Sequence, residues 1–373
     1  MALKYIMESN EIPWAKPDFW GNEQRYVAEA LTSTWISGGP FLDRFEKDFA
    51  HYSGIRYALT ASNGTTALHM AYLALGLKAG DEVILPGFAF MGAANMALYV
   101  GAKPIFADVD PQTWCLKAAE IEKHLTPLTK LIVPIHTYGN VCGMDTIMQI
   151  ANSHGIPVVE DVAEAFACQY KNRLAGTFGA IGTFSFQATK TITTGEGGMV
   201  ITSDENLYDR MALYRSHGMR REQYYWHDLA GHNFRLTNLQ AAVGVAQMEK
   251  LEEIVKERKR VHNQYKNLLS NVPGLTLQFF PPEVDPVLWA IAVKLDPLAF
   301  PQGRDTVIEE MMHAGIETRP GFVAPRFMDH IYACPELPIS EELSKNVLSL
   351  PTYPTLQDEQ IYFICNQLKK LRR

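Results

Sequence analysis

The chain has 373 residues, 47% of them hydrophobic and 20% charged, which suits a buried core in about two domains and excludes a disordered chain. Its net charge of −7 argues against non-specific binding to nucleic acid or an anionic membrane, but not against a small anion in a local pocket. No apolar run reaches the roughly 20 residues that span a bilayer, and the opening MALKYIMESNEIPW lacks the apolar core and cleavage site of a signal peptide, so a cytoplasmic protein is expected.

Residues 64–77, GTTALHMAYLALGL, show a helical apolar face behind a Ser62-Asn63-Gly64-Thr65-Thr66 start. EVILP (82–86) reads as a strand stopped by Pro86, followed by a helix at 91–100, a strand at 103–110 and a helix at 116–125. Further strands are predicted at 130–136, 156–162, entering 184–186, and at 199–203. Apolar strands separated by helices imply a mostly parallel sheet covered on both faces, with ligands outside the carboxyl ends of the strands. Residues 236–270 contain no proline and read as one long helix or two nearly continuous ones. A smaller α/β unit begins near Pro273, with a strand at 287–295 and helices at 304–314 and 356–371. The proline-rich stretch 320–354 reads as irregular chain lining a cleft between domains. The five cysteines, Cys115, Cys142, Cys168, Cys334 and Cys365, form no C-x-x-C pair and read as reduced thiols rather than a disulfide framework or zinc site.

Four features fall at strand ends or helix starts. Ser62 to Thr66 would offer free backbone N–H groups to an anion, or simply cap a helix. Glu160 and Asp161 end an apolar strand on opposite faces, so one of them turns to the cleft or caps the next helix. No His or Cys cluster accompanies them, which weakens a metal reading. Phe88 and Phe90 follow EVILP, where an aromatic either packs in the core or covers a flat ring. Lys190 stands in FSFQATKTITTGEGG with no charge within five residues on either side. It is a solvated surface charge, or a buried amine whose lowered pKa suits it to attack carbonyls. In that order, anion cradle, aromatic plane, carboxylate and lysine are what pyridoxal phosphate needs.

With these motifs in place, the chain resembles the DegT/DnrJ-type sugar aminotransferases of the aspartate-aminotransferase-like, type I pyridoxal phosphate fold. The likeness runs from TSTWISGGPFLDRFEKDFAHYSG (32–54) through SNGTTALH, GDEVILP, GAKPIFADVD, PIHTYG, VVEDVAEA, GTFSFQATKTITTGEGG and GHNFRLTNLQAA to CPELPISEELSKNVLSLPTYP (334–354). It implies an α/β fold with a large cofactor-binding domain (15–250) and a smaller C-terminal α/β domain (251–373) packed with the N-terminal segment. It also implies roles. Lys190 is the Schiff-base lysine, Asp161 the partner of the pyridine nitrogen, and Glu164 lies near the ring hydroxyl. Gly64, Thr65 and Ser185 contact the phosphate, and Phe90 stacks on the ring. Asn238 reaches the phosphate from the neighbouring subunit, so the active sites are shared in a homodimer. L-Glutamate is then the amino donor and 2-oxoglutarate its product, with pyridoxamine phosphate as the intermediate form of the cofactor.

Within the family, the stretches 217–238 and 190–198 are most like the branch that 4-aminates a GDP-linked 4-keto-6-deoxy sugar, the perosamine type. Phe322 and Phe327 stand where Tyr and His are more usual, which bears on the sugar rather than the chemistry. Amination of a nucleotide-linked 3-keto sugar shares the same cofactor motifs. A sugar dehydratase would carry His in place of Lys190, and a non-catalytic regulator of the fold would be expected to lose Lys190 or Asp161. Arg220, Arg221, Arg319 and Arg326 are candidates for a diphosphate or, equally, ordinary surface charges.

Overall fold

The computed structural model describes residues 11–220, 223, 225–331 and 334–373; the first ten residues and Arg221 lie outside the described residues. Helix α1 (Glu23–Thr32) leads to α2 (Pro40–Ser53), which begins on a proline that loses nothing at a first turn and stops at Gly54 with φ of 67°. Phe41, Phe45 and Phe49 recur every four residues on α2 and are buried.

Strands and helices then alternate. They are β1 (Tyr57–Ala61), α3 (Gly64–Leu75), β2 (Glu82–Pro86), α4 (Gly92–Tyr99), β3 (Lys103–Ala107), α5 (Ala118–His124), β4 (Thr129–Ile132), α6 (Met144–Ser153) and β5 (Val159–Asp161). A small ribbon, β6 (Gln169–Tyr170) and β7 (Arg173–Leu174), precedes β8 (Ile181–Ser185), β9 (Gly198–Thr202) and α7 (Glu205–Arg215). Bridges from Ile132 to Val158 and from Ile135 to Asp161 join β4 to β5, giving one sheet in the order β3-β2-β4-β5-β8-β9-β1. Only β9 runs against its neighbours, so the sheet is mostly parallel, as expected. Side chains alternate between its two faces: Ile84 packs toward α2 and α6, while Val83 and Leu85 pack toward α3 and α4.

The long helical stretch is two helices, α8 (Asn238–Glu249) and α9 (Leu251–Leu269), parted at Lys250. After them come β10 (Leu275–Leu277), β11 (Val284–Asp285), which pairs with β6, β12 (Ile291–Leu295), α10 (Arg304–His313), β13 (Arg319–Pro320), α11 (Pro338–Asn346), β14 (Val347–Leu350) and α12 (Asp358–Lys370). A second, antiparallel sheet has the order β10-β12-β14-β13. Val261, Tyr265 and Leu269 of α9 share its core with Ile361, Ile364 and Leu368 of α12. The N-terminal segment docks here: Ile12 bridges Ile316, and the Trp14 indole N–H donates to Ser349 Oγ at 3.0 Å.

The reading of 320–354 as irregular chain is corrected, because α11 and β14 lie inside it. Pro338 starts α11 at a position where its missing N–H costs nothing. Strand β14 is buried along its whole length, so it shows no polar alternation to betray it. The strand read at 287–295 begins only at Ile291. Among the described residues no helix is long and apolar enough to cross a membrane.

Candidate active site

The carboxyl ends of β2, β5 and β8 open on one side of the sheet, beside the start of α3. A cavity of about 550 Å³ lies there, lined by Gly64, Thr65, Phe90, Asp161, Glu164, Ser185 and Lys190, and also by Trp289. Seven of the eight residues singled out from the sequence therefore meet in one place.

One end of the cavity suits an anion. Asn63 caps α3, with its Oδ1 accepting from Thr66 N at 2.8 Å, while Thr66 Oγ1 accepts from Asn63 N at 3.1 Å. That box satisfies the cap and leaves the Gly64 and Thr65 N–H groups without a helix partner. The turn is also pressed close to the sheet. A Cβ on Gly64 would stand 2.8 Å from Ser185 Cβ, and one on Gly198 would stand 2.4 Å from Asn63 O. Glycine at both places brings two N–H groups and the Ser185 hydroxyl around one point, a cradle that fits a phosphate.

Lys190 sits in the loop between β8 and β9. Phe186 N donates to Gly197 O and Thr194 N to Phe186 O, which closes the loop at its base, and buried Phe186 and Ile192 anchor it. The Lys190 Nζ stands 3.7 Å from the centre of the Trp289 ring. Burial lowers its pKa, against the opposing pull of Glu164 and Asp161. The amine is thus more readily neutral than a surface lysine, as a nucleophile or base requires.

The two strand-end acids part as alternation demands. Glu160 turns into the protein, where it accepts from Gly176 N (2.8 Å), Phe178 N (2.6 Å) and Gly179 N (2.7 Å) and faces His136 Nε2 at 3.1 Å. Because His136 Nδ1 accepts from Cys142 N, Nε2 carries the hydrogen toward Glu160. Asp161 turns to the cavity and accepts from Ala163 N at 3.0 Å. Burial raises its pKa, offset by that hydrogen bond, by Lys190 and by His136. A cationic group brought against it would favour the carboxylate. Phe88 is core, wedged against Trp114, Tyr138 and Phe322, whereas Phe90 is 64% exposed and open to the cavity. The cradle, the open aromatic, the carboxylate and the amine fit the phosphate, ring, ring nitrogen and aldehyde of pyridoxal phosphate.

Glu164 accepts from Tyr138 N at 2.8 Å, a contact made with Tyr138 in the left-handed region at φ of 58°. Burial pushes the Glu164 carboxyl up to about 7, against the pull of Lys190 and of the Tyr138 N–H. A carboxyl with a folded value above its unfolded 4.5 holds its proton more tightly when folded. Its contribution is therefore present below the unfolded value and is lost as pH rises through about 7. Glu164→Gln keeps an acceptor for Tyr138 and removes the charge. Urea denaturation of the apoprotein should show the variant gaining on the order of 2 kcal/mol over wild type at about pH 8 relative to about pH 4. A difference independent of pH would rule out this role for Glu164.

Asn238 is not brought to this cavity. It is fully buried, its Oδ1 accepts from Phe41 N (2.9 Å) and Leu42 N (3.3 Å), and its Nδ2 donates to Trp35 O (2.6 Å). It caps α2 and holds the preceding loop, so its side chain is committed within its own chain. The candidate arginines also lie elsewhere: Arg220 pairs with Asp228, Arg319 with Glu317, and Arg326 with Glu336 and Glu341. Trp289 was not identified from the sequence. It lies in an apolar run that reads as core strand, and nothing in the run distinguishes the one side chain facing the lysine.

A family model for the DegT/DnrJ/EryC1/StrS aminotransferases matches residues 18–369. The chain is 39% identical to GDP-perosamine synthase of Escherichia coli O157:H7, over 96% of this chain and 98% of that protein. It is 41% identical to GDP-perosamine synthase of Caulobacter vibrioides, over 93% of this chain and 94% of that protein. Its fold superposes with a TM-score of 0.91 and 30% identity on the aminotransferase TlmJ from Streptoalloteichus hindustanus, covering 96% of this chain and 98% of that one. Fold, cavity and likeness agree over nearly the whole length, and the chain belongs to the DegT/DnrJ/EryC1/StrS aminotransferase family, whose cofactor is pyridoxal 5′-phosphate.

Proposed function

We propose that the protein moves an amino group from L-glutamate to C4 of a GDP-linked 4-keto-6-deoxy sugar, acting as a homodimer. The observation that carries the chemistry is the half-buried Lys190 amine, which lines one cavity together with two carboxyl groups, an indole and the anion cradle. The two GDP-perosamine synthases at about 40% identity support the choice of nucleotide and carbon. Leu31, Trp35 and Ile36 are exposed apolar side chains around the loop that Asn238 holds, and they support a dimer interface.

When bound, pyridoxal phosphate supplies an aldehyde for amines and a ring that accepts the electron pair left when a C–H bond breaks. Gly64 N, Thr65 N and Ser185 Oγ bind the phosphate. Phe90 covers one face of the ring and keeps water from it. Asp161 holds a proton at the ring nitrogen, and Glu164 shares one at the ring hydroxyl. Lys190 Nζ would hold the aldehyde and, when free, would serve as the base and acid that moves the proton at the reacting carbon of the amino donor or the sugar.

The test is a panel of GDP-, dTDP- and UDP-linked 4-keto-6-deoxy sugars with glutamate, the product located by NMR. The expected result is an amine at C4 and a kcat/KM at least about tenfold higher for the GDP sugar. An amine at C3, or no preference for GDP, overturns the assignment of carbon or nucleotide.

A further inference from the structure

Helix α9 carries a buried stripe of Ile254, Val261, Tyr265 and Leu269, and Arg258 lies within it at 3% exposure. All its bonds end on backbone carbonyls. Nη2 donates to Lys190 O at 3.2 Å, and Nη1 to Leu288 O at 3.1 Å and Trp289 O at 3.4 Å. Its Nε has no partner, and among the described residues it forms no ion pair. A buried guanidinium that hydrogen-bonds no carboxylate, with Asp18 acting on it only from a distance, is a costly way to fill a core position. What it gains is geometric.

The bonds close a ring. Arg258 grips the backbone of Lys190 and of Trp289 with one fork. The Trp289 indole N–H donates to Thr189 O at 3.0 Å, and its ring lies under the Lys190 amine. Lysine and indole come from segments 99 residues apart, the first beside the large sheet and the second two residues before β12 of the small one. The two segments share no strand; the Trp289–Thr189 bond ties them directly, and the Arg258 fork ties both to a third element.

We infer that Arg258 is a positioning residue, which sets the Lys190 amine over the Trp289 ring by holding both backbones. This rests on the reading of Lys190 as the reacting amine. Arg258→Met keeps the volume and the apolar stripe but drops the fork, and Arg258→Lys keeps one donor. In the proposed reaction kcat should fall about 100-fold in R258M and less in R258K, with KM for glutamate and sugar little changed, since misplacing a reacting group by about 1 Å costs that much.

A second readout needs no cofactor. The apoprotein is acetylated across about pH 6 to 11 and the peptide bearing Lys190 is followed by mass spectrometry. In wild type, Lys190 faces Asp161, Glu164 and, at the cavity rim, Glu196, and its labelling midpoint should lie below the ordinary lysine value of about 10.4. In R258M the Lys190 midpoint alone should rise by about one unit or more, as the amine swings to water. R258K should lie between. If both variants keep the wild-type Lys190 profile, even with a lowered melting temperature, Arg258 is only structural and the inference fails. If wild-type Lys190 already labels with the midpoint of an ordinary lysine, the reading of Lys190 fails as well.

Discussion

Lys190→Ala is expected to lose turnover by at least about 10⁴-fold, because two functions leave with one side chain. The variant has no amine with which to anchor the aldehyde and no base positioned to move the proton. Among the described residues no other amine lines the cavity. Asp161 and Glu164 are carboxylates held by backbone N–H groups, and the Thr189 hydroxyl is bonded to Gln187. The fold should survive, since burial already disfavours the Lys190 ammonium in the folded chain. Steady-state assays, together with a thermal melt of the apoprotein, separate lost chemistry from lost structure. Added small primary amines should restore part of the proton transfer, though not the covalent anchor. Retention of wild-type kcat by a folded K190A protein would falsify the assignment of Lys190.

The sequence made this site readable because each of its parts has a local signature. Helix α3 starts on an Asn-Gly-Thr-Thr capping pattern, β5 ends in an acidic pair, and Lys190 stands alone in an uncharged loop. Alternation even separates the two acids, and the structure shows Glu160 spent on three backbone N–H groups while Asp161 faces the cavity. The parts that escaped are non-local. Trp289 meets Lys190 only because two sheets pack together, and no periodicity within its run marks it. Strand β14 is buried on both faces and its one polar residue, Ser349, makes no alternation, so the prolines around it dominate the local reading. Asn238 carries a family motif but no local cue to which backbone it caps, and burial, visible only in three dimensions, decides that. Arg258 did leave a trace: a charge at a core position of an amphipathic helix, four residues after Ile254 and three before Val261. Such a charge must find partners inside the protein, and here they are the carbonyls of the catalytic loop and the indole loop.

Asp161→Asn is expected to cost about 10³-fold in kcat with little change in KM for either substrate, the signature of an interaction that strengthens only as negative charge spreads into the ring. The replacement is isosteric, and Asn Oδ1 can still accept from Ala163 N, as Asp161 does at 3.0 Å, so the end of β5 should keep its shape. What changes is charge. A carboxylate holds a proton on the ring nitrogen, and a neutral amide does not. The loss, about 4 kcal/mol at the transition state, exceeds what one ordinary hydrogen bond contributes. The effect should also reach Lys190. With one of its two opposing carboxylates removed, burial acts on the amine less opposed, and its pKa should fall further, shifting the acid limb of the kcat profile to lower pH. Combining the variant with Glu164→Gln should shift that limb again, because Glu164 is the larger of the two influences on the lysine. A D161N enzyme with wild-type kcat and an unmoved profile would place the ring nitrogen's partner elsewhere and leave Asp161 as a cap for the turn that follows β5.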